Sequence, residues 1–405
     1  MTLVERRSVL KAALGAVASL AVSGAGAQSA RQPFAQWVEA FRARARARGI
    51  SDATYTRVMS AIKPDISVYA LDRSQPEFNE ELWQYLNRRV SDWRIQTGKA
   101  RAKEHAALFS RIERDYGVDR YHLIGLWGME SAFGDLVANP KHMRPVFPAL
   151  AALAWGEKRR RAYWEKELLN ALVIVERGWS QPAEMVGSWA GAMGHTQWMP
   201  EVWLNMGVDY DKDGRISPFE LADALAGTAR YLAARGRYRR GEPWGYEVRV
   251  PAGAKFGGGS RTLAAWQKLG VVRANGEPFP RPTMPARLAT PVRGGPSFLV
   301  GPNFFAIRSY NPSFNYTLAI VHLGDRIRGE GPFVQSFPGG ERSLTLSELQ
   351  EIQRRLSAIG FQTGGADGRV GPDTMRAVAA FQRKVGLEPD GYPGLKVLAR
   401  LRQGS

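Results

Sequence analysis

The sequence predicts a mainly α protein with a small β insertion, followed by a separate helical unit. Three observations lead there. Helical patterns dominate from about Phe34 to about Arg235, whereas short, partly alternating runs bounded by Gly and Pro occupy Trp244–Val250 and Ser297–Val300 through Phe304–Ile307. Gly329–Gly340 is rich in Gly and Pro with no helical period, so a linker is placed at 329–343. The 405 residues suffice for two or three domains with their own cores.

Taken in order, the chain opens with Arg6-Arg7-Ser8-Val9-Leu10-Lys11, a soft apolar run and Ala25-Gly26-Ala27. This reads as a removable export leader over residues 1–27, of the twin-arginine type, and predicts a periplasmic location. The run is short and rich in Gly and Ala for a membrane span, and no later stretch is long and apolar enough, so no stable membrane anchor is expected. The absence of cysteine excludes disulfides, a lipidated N-terminus and any thiolate metal site. The formal charge of +18 becomes +16 when Arg6, Arg7, Lys11 and Glu5 leave with the leader, and a basic surface draws polyanions. No nucleic-acid-reading motif accompanies the charge, so no nucleic-acid partner is expected.

The main body, residues 28–328, contains the most informative position. Glu130 lies in Leu126-Trp127-Gly128-Met129-Glu130-Ser131-Ala132-Phe133-Gly134, near the end of a helix predicted over Tyr121–Phe133. Desolvation raises a carboxyl pKa, and that is what a proton donor needs near neutral pH, so Glu130 is a candidate acid/base.

Beyond it, Asp209-Tyr210-Asp211-Lys212-Asp213-Gly214-Arg215-Ile216-Ser217-Pro218-Phe219-Glu220 has oxygen donors at its first, third, fifth and ninth positions, Gly at the sixth and Glu at the twelfth. An EF-hand loop shows this spacing, with the Arg215 position lending only its carbonyl, and a structural Ca²⁺ is expected. An acidic turn capping the helix from Leu221 is the competing reading.

The final unit, residues 344–402, repeats itself loosely. Ile352-Gln353-Arg354-Arg355-Leu356 with Asp367-Gly368-Arg369-Val370-Gly371 recurs as Phe381-Gln382-Arg383-Lys384-Val385 with Asp390-Gly391-Tyr392-Pro393-Gly394. Each half pairs a helix with an Asp-Gly turn. Val397 departs from the pattern where the first half has Thr374.

Gly128–Gly134, followed by Gly187-Ser188-Trp189-Ala190-Gly191-Ala192-Met193-Gly194-His195-Thr196-Gln197-Trp198-Met199-Pro200, resembles the lytic murein transglycosylases of the B type. Leu71–Phe78 and Tyr310-Asn311-Pro312-Ser313-Phe314-Asn315-Tyr316 match further segments of that family, so the likeness runs from about Phe34 to Ile327. It implies a lysozyme-like helical catalytic domain in which Glu130 is the sole catalytic carboxylate and Ser188 and Gln197 line the sugar groove. Tyr310, Asn311 and Tyr316 are implied to face substrate, with Tyr85 as a further sugar contact and Arg159 and Arg160 as contacts to the wall polymer. Core packing is the competing reading for Tyr316, and a solvated helix face for the arginines.

The same resemblance suggests a longer acidic loop closed by Asp223, so Glu220 and Asp223 both stand as the closing ligand. Residues 344–401 resemble the three-helix peptidoglycan-binding domain appended to many wall hydrolases, and the expected partner is the peptidoglycan glycan strand, bound by a monomer.

Glycosidases ordinarily flank the bond with two carboxylates, and near Glu130 the motifs offer only Asp135. The resemblance implies how one suffices. Glu130 protonates the glycosidic oxygen, the acetamido group of N-acetylmuramic acid closes on its own C1, and Glu130 then takes the C6 hydroxyl proton to leave a 1,6-anhydro sugar. A hydrolytic muramidase and a non-catalytic, calcium-braced wall-binding protein are the alternatives. The five histidines form no zinc-type pair, Gly257-Gly258-Gly259-Ser260 lacks the Lys of a phosphate loop, and no Ser/His/Asp signature is present.

Overall fold

The computed structural model describes residues 32–73, 80–141 and 143–404. The expected leader, the 74–78 part of the Leu71–Phe78 segment and His142 lie outside the described residues. The body begins with helices α1 (Phe34–Ala47), α2 (Asp52–Met59), α3 (Val68–Arg73), α4 (Leu82–Arg89), α5 (Asp92–Glu104), α6 (Ala106–Tyr116) and α7 (Arg120–Ser131). A single turn, α8 (Asp135–Ala138), then leads to β1 (Arg144–Pro145), α9 (Val146–Gly156), α10 (Arg161–Glu176), β2 (Val186–Gly187), α11 (Pro200–Met206) and α12 (Leu221–Ala234).

Two apolar cores organise these helices. One gathers α1, α2, α9 and α10 with Met193, Trp198 and Trp203. The other is built on α4–α7, α12 and the late helices α14 (Pro302–Arg308) and α15 (Phe314–Arg328). Ser51, Ser91, Asp119 and Ser313 each accept an amide hydrogen bond at a helix start, which is why α2, α5, α7 and α15 begin where they do.

The β insertion carries β3 (Gly245–Arg249), β4 (Arg261–Thr262), helix α13 (Leu263–Lys268), β5 (Val272–Arg273), β6 (Pro285–Ala289) and β7 (Ser297–Val300). They form one antiparallel sheet in the order β4-β6-β7-β3-β5 over a small core of its own. Phe304–Ile307 corrects the strand expectation, because it belongs to α14. Gly301 and Pro302 start that helix, and the buried Asn303 amide ties it to the Arg239 and Glu242 carbonyls at 2.9 and 2.6 Å.

Helices α16 (Leu346–Ala358), α17 (Pro372–Lys384) and α18 (Leu395–Arg402) close the chain around a fourth core. The sequence echo is a repeated clasp. Gln353 donates to Asp367 Oδ1 at 3.1 Å and accepts the Gly368 amide at 2.8 Å, while Gln382 donates to Asp390 Oδ1 at 2.7 Å and accepts the Gly391 amide at 2.8 Å. Thr374 adds its hydroxyl to the first clasp, whereas Val397 is core.

The stretch from Gly329 to Ser343, though largely exposed, is fastened to the body at several points. Phe333 stacks on His322 with ring centroids 3.9 Å apart, the Val334 and Gln335 amides donate to the Glu247 carboxylate at 2.7 and 2.8 Å, and Gly340 lies against Trp83. Among the described residues no helix is long and apolar enough to cross a membrane.

Candidate active site

Helix α7 is buried without a break from His122 to Met129, and Glu130, half-buried, is where that run ends. It lies deep because α7 and α15 approach closely: a Cβ on Gly125 would stand 2.4 Å from the Ile320 carbonyl oxygen. That approach brings the first turn of α15 to the carboxylate, and the Tyr316 hydroxyl donates to Glu130 Oε1. Burial, together with the negative charge of Glu130, drives the Tyr316 phenol well above its usual range, so it stays a donor.

The predicted helix over Tyr121–Phe133 stops two residues early. Ala132 and Phe133 turn into the left-handed region at φ 51° and 60°, followed by Gly134 at 88°. Such conformations cost free energy in non-glycine residues and persist only where surrounding contacts hold them. Those contacts come from the second motif. Ser131 Oγ donates to the His195 carbonyl at 2.6 Å, and Trp127 Nε1 donates to His195 Nδ1 at 3.2 Å. Burial pulls the His195 imidazole down to about 4, so it is neutral and accepts this bond.

The Gly187–Pro200 segment joins the two helical cores. Met193 and Trp198 pair through their backbones and sit in the first. Between them the Thr196 carbonyl accepts the Tyr310 hydroxyl at 2.6 Å. Gln197, also left-handed at φ 55°, donates its side-chain amide to the Gly194 carbonyl at 3.0 Å. Ser188 is half-buried, and its hydroxyl accepts the Ala192 amide at 3.2 Å, closing the preceding turn.

Glu130, Tyr316 and Tyr310 therefore converge, with Tyr85 close enough for its phenol to bear on that of Tyr316. Asn311 Oδ1 accepts the Ser313 amide at 3.1 Å and so shapes the start of α15. Arg159 and Arg160 stand elsewhere, before α10, where both reach the buried carboxylate of Asp72, at 3.4 and 2.6 Å. Asp135, the other acid of the first motif, pairs with Arg369 Nη2 at 2.7 Å and with the Asn139 amide at 3.3 Å.

In the acidic loop, carboxylate oxygens of Asp209, Asp211 and Asp223 lie within 4.8 Å of one another. Asp213 and Glu220 stand outside that group; Asp213 accepts the Arg215 amide at 2.8 Å, and Glu220 is the N-cap residue of α12. Asp223 is drawn in because its two oxygens accept the Tyr210 and Ser217 amides at 2.7 and 3.0 Å. Burial, with the charges of Asp211 and Asp209 adding, pushes it up to about 6. Crowded hard oxygen donors of this kind fit a divalent cation. The loop also bears on the site, since the Pro218 carbonyl accepts the His195 amide at 2.9 Å.

Sequence reasoning missed the seam between the body and the final unit. Besides the Asp135–Arg369 pair, Asn87 Nδ2 donates to the Tyr392 hydroxyl at 2.9 Å, Gln84 to Asp390 at 2.9 Å, and the Leu346 amide to Asp92 at 3.0 Å. Contacts between residues some 250–300 positions apart leave no local signal in one sequence.

Residues 33–325 match the transglycosylase SLT domain family. The chain belongs to that family. Residues 345–401 match a peptidoglycan binding domain. This SLT-domain chain is 40% identical to SltB3 of Pseudomonas aeruginosa, solved in complex with NAG-anhNAM-pentapeptide, across 92% of this chain and 100% of that one, with a TM-score of 0.70. It is 25% identical to the Escherichia coli lytic transglycosylase Slt35 in complex with calcium, across 73% of this chain and 93% of that one, with a TM-score of 0.62. It is 27% identical over 248 residues to membrane-bound lytic murein transglycosylase B of Escherichia coli (strain K12), a match spanning 60% of this chain and 66% of that protein. The SLT-domain protein is thus homologous to lytic transglycosylases acting on peptidoglycan, and its fold is the mainly α, lysozyme-like one with a C-terminal helical unit.

Proposed function

We propose that the protein is a periplasmic lytic transglycosylase that cuts the β-1,4 bond between N-acetylmuramic acid and N-acetylglucosamine and leaves 1,6-anhydro ends. The observation that carries this is Glu130, a half-buried carboxylate ending a buried helix and held by the Tyr316 hydroxyl. Glu130 donates its proton to the glycosidic oxygen. The substrate's acetamido oxygen attacks C1 and forms an oxazolinium, so the C1–O bond breaks without an enzyme nucleophile. Glu130 then removes the C6 hydroxyl proton, and O6 attacks C1 and reopens the ring. Asp135 is engaged by Arg369, which supports a mechanism with one carboxylate. Tyr316 is a positioning residue that fixes the rotamer of Glu130, and Ser188, Gln197 and Tyr310 belong to the groove wall.

Export by the leader over residues 1–27 belongs to the same reading. Asp209, Asp211 and Asp223 would hold a structural Ca²⁺ that braces the Pro218–His195 contact and takes no part in bond breaking.

The test is a pair of substitutions. Glu130→Gln keeps shape but can neither give nor take a proton, and general acid/base catalysis is worth about 100- to 10,000-fold. It should remain folded, bind glycan and release no anhydro product above about one part in a hundred of the wild type, while Asp135→Asn keeps most of the activity on glycan without peptide stems. Equal loss in Asp135→Asn on that substrate would replace this reading with a two-carboxylate hydrolase.

A further inference from the structure

The seam gathers positive charge near the end of α7, the helix that carries Glu130. Arg88 and Arg89 at the end of α4, Arg94 on α5 and Arg369 from the C-terminal unit lie close enough for Arg94 to feel all three others. Among the described residues their counter-charges are two: Glu80 holds Arg88, and Asp135 holds Arg369 at 2.7 Å. Among the described residues Arg94 reaches the Arg88 carbonyl at 3.2 Å, the Gly128 carbonyl at 3.5 Å and the Trp93 ring at 5.8 Å, and has no carboxylate partner. Arg89 has no ion pair or hydrogen bond among the described residues, and its buried Nε is without an acceptor.

Among the described residues two guanidinium groups thus have no carboxylate partner in a partly buried place, which is costly unless an anion completes it. Burial first, and the neighbouring arginines after it, bring Arg94 down to about 9, the direction that unrelieved like charge produces. The cluster is tied to the site at two points. Arg89 lies over the Tyr85 ring at 5.6 Å, and Arg94 reaches Gly128, two residues before Glu130. Both Arg94 and Arg369 bear on the Trp93 ring, their guanidinium groups 5.8 and 4.7 Å from its centroid.

We propose that this seam takes a carboxylate of the peptide stem carried by the muramoyl residue, with Arg89 as the principal contact and Arg369 supplied by the C-terminal unit. The inference rests on peptidoglycan being the substrate. A stem leaves the muramoyl ring at its lactyl group, so it emerges from the groove beside the ring being cut. A planar carboxylate is the partner that a guanidinium fork recognises best. The C-terminal unit would then select substrate by completing a subsite of the catalytic groove.

The test uses the full chain on short glycan strands in three forms: with free stem carboxylates, with those carboxylates amidated, and with the stems removed by an amidase. Hydrogen bonds to a charged group are worth about 1.5–3 kcal/mol, hence roughly 10- to 100-fold. The wild type should favour free stems over both other forms by at least about tenfold in kcat/KM. Arg89→Gln should bring that ratio close to one, and Arg89→Lys should restore part of it. Arg369→Gln, read by the same ratio, serves if Arg89→Gln does not fold. A wild-type ratio of one, or equal proportional loss on all three substrates in Arg89→Gln, overturns the proposal. Amidated stems cut as fast as free ones would mean that the peptide, and not its charge, is recognised, which also overturns it. Failure of the wild type to release anhydro ends from any of the three would instead overturn the underlying reading of the function.

Discussion

At the scale of single residues, the site is a set of polar groups that packing has placed where water would otherwise hold them. Glu130 accepts the Tyr316 hydroxyl, and Tyr316 stays protonated because burial and the Glu130 charge both oppose its ionisation. A second buried carboxylate, Glu167 on α10, has a structural task. Its Oε2 accepts the Glu201 amide at 2.9 Å, an N–H in the first turn of α11 that has no partner within its own helix. Burial, with the charge of Glu201 adding, pushes Glu167 up to about 7. The folded protein therefore holds this proton at pH values where the unfolded chain, with an ordinary Glu value near 4.5, has released it. Stability from this group is complete below that lower value and is lost as pH rises to about 7, a slope worth at most about 3 kcal/mol. Denaturant melts at pH 4.5–8 should show that fall in the wild type and a flatter profile in Glu167→Gln. Parallel profiles would mean that Glu167 titrates normally. Glu130 was legible in the sequence because a carboxylate in an apolar helix contradicts its surroundings; Glu167, spaced like an exposed helix position, was not.

At the scale of elements, the helices around the site were legible because their caps and apolar stripes are local. The strand reading of Phe304–Ile307 failed because four apolar residues in a row fit a buried helix as well as a strand, and Gly301-Pro302 decides between them. The acidic loop shows the opposite balance. Its spacing led to the expectation of a cation site, and the fold gathers Asp223, rather than Glu220, with Asp209 and Asp211, since the Tyr210 and Ser217 amides reach back to α12. If these three carboxylates bind Ca²⁺, the ion stabilises by mass action, about 2.7 kcal/mol at roughly a hundred times its Kd. Thermal unfolding should then shift upward with calcium and downward with a chelator. Asp223→Asn should abolish the response and Glu220→Gln should retain it. The reverse pattern would restore the twelve-residue loop, and no response in the wild type would remove the metal.

At the scale of the whole molecule, a tethered C-terminal unit was the natural reading of a Gly/Pro-rich stretch. The structure instead fastens that stretch through Phe333 and Glu247, and docks the unit on α4, α5 and α8. A composition rich in Gly and Pro reports the absence of helix, not the presence of freedom. The full chain should therefore melt in one transition, and removal of residues after Gly340 should lower the melting temperature of the body, by about 2–4 °C for each kcal/mol of docking lost. An unchanged body would indicate a unit that contributes nothing to its fold. The central claim remains the reaction itself, a glycan cut by one carboxylate with the substrate's own oxygen as the final nucleophile. Digestion of purified sacculi in heavy-oxygen water, followed by mass spectrometry of the released muropeptides, tests it most directly. Transglycosylation by Glu130 should yield muramoyl ends one water lighter than the hydrolysed sugar and free of heavy oxygen. Ends that carry the added water with heavy oxygen at C1 would contradict it.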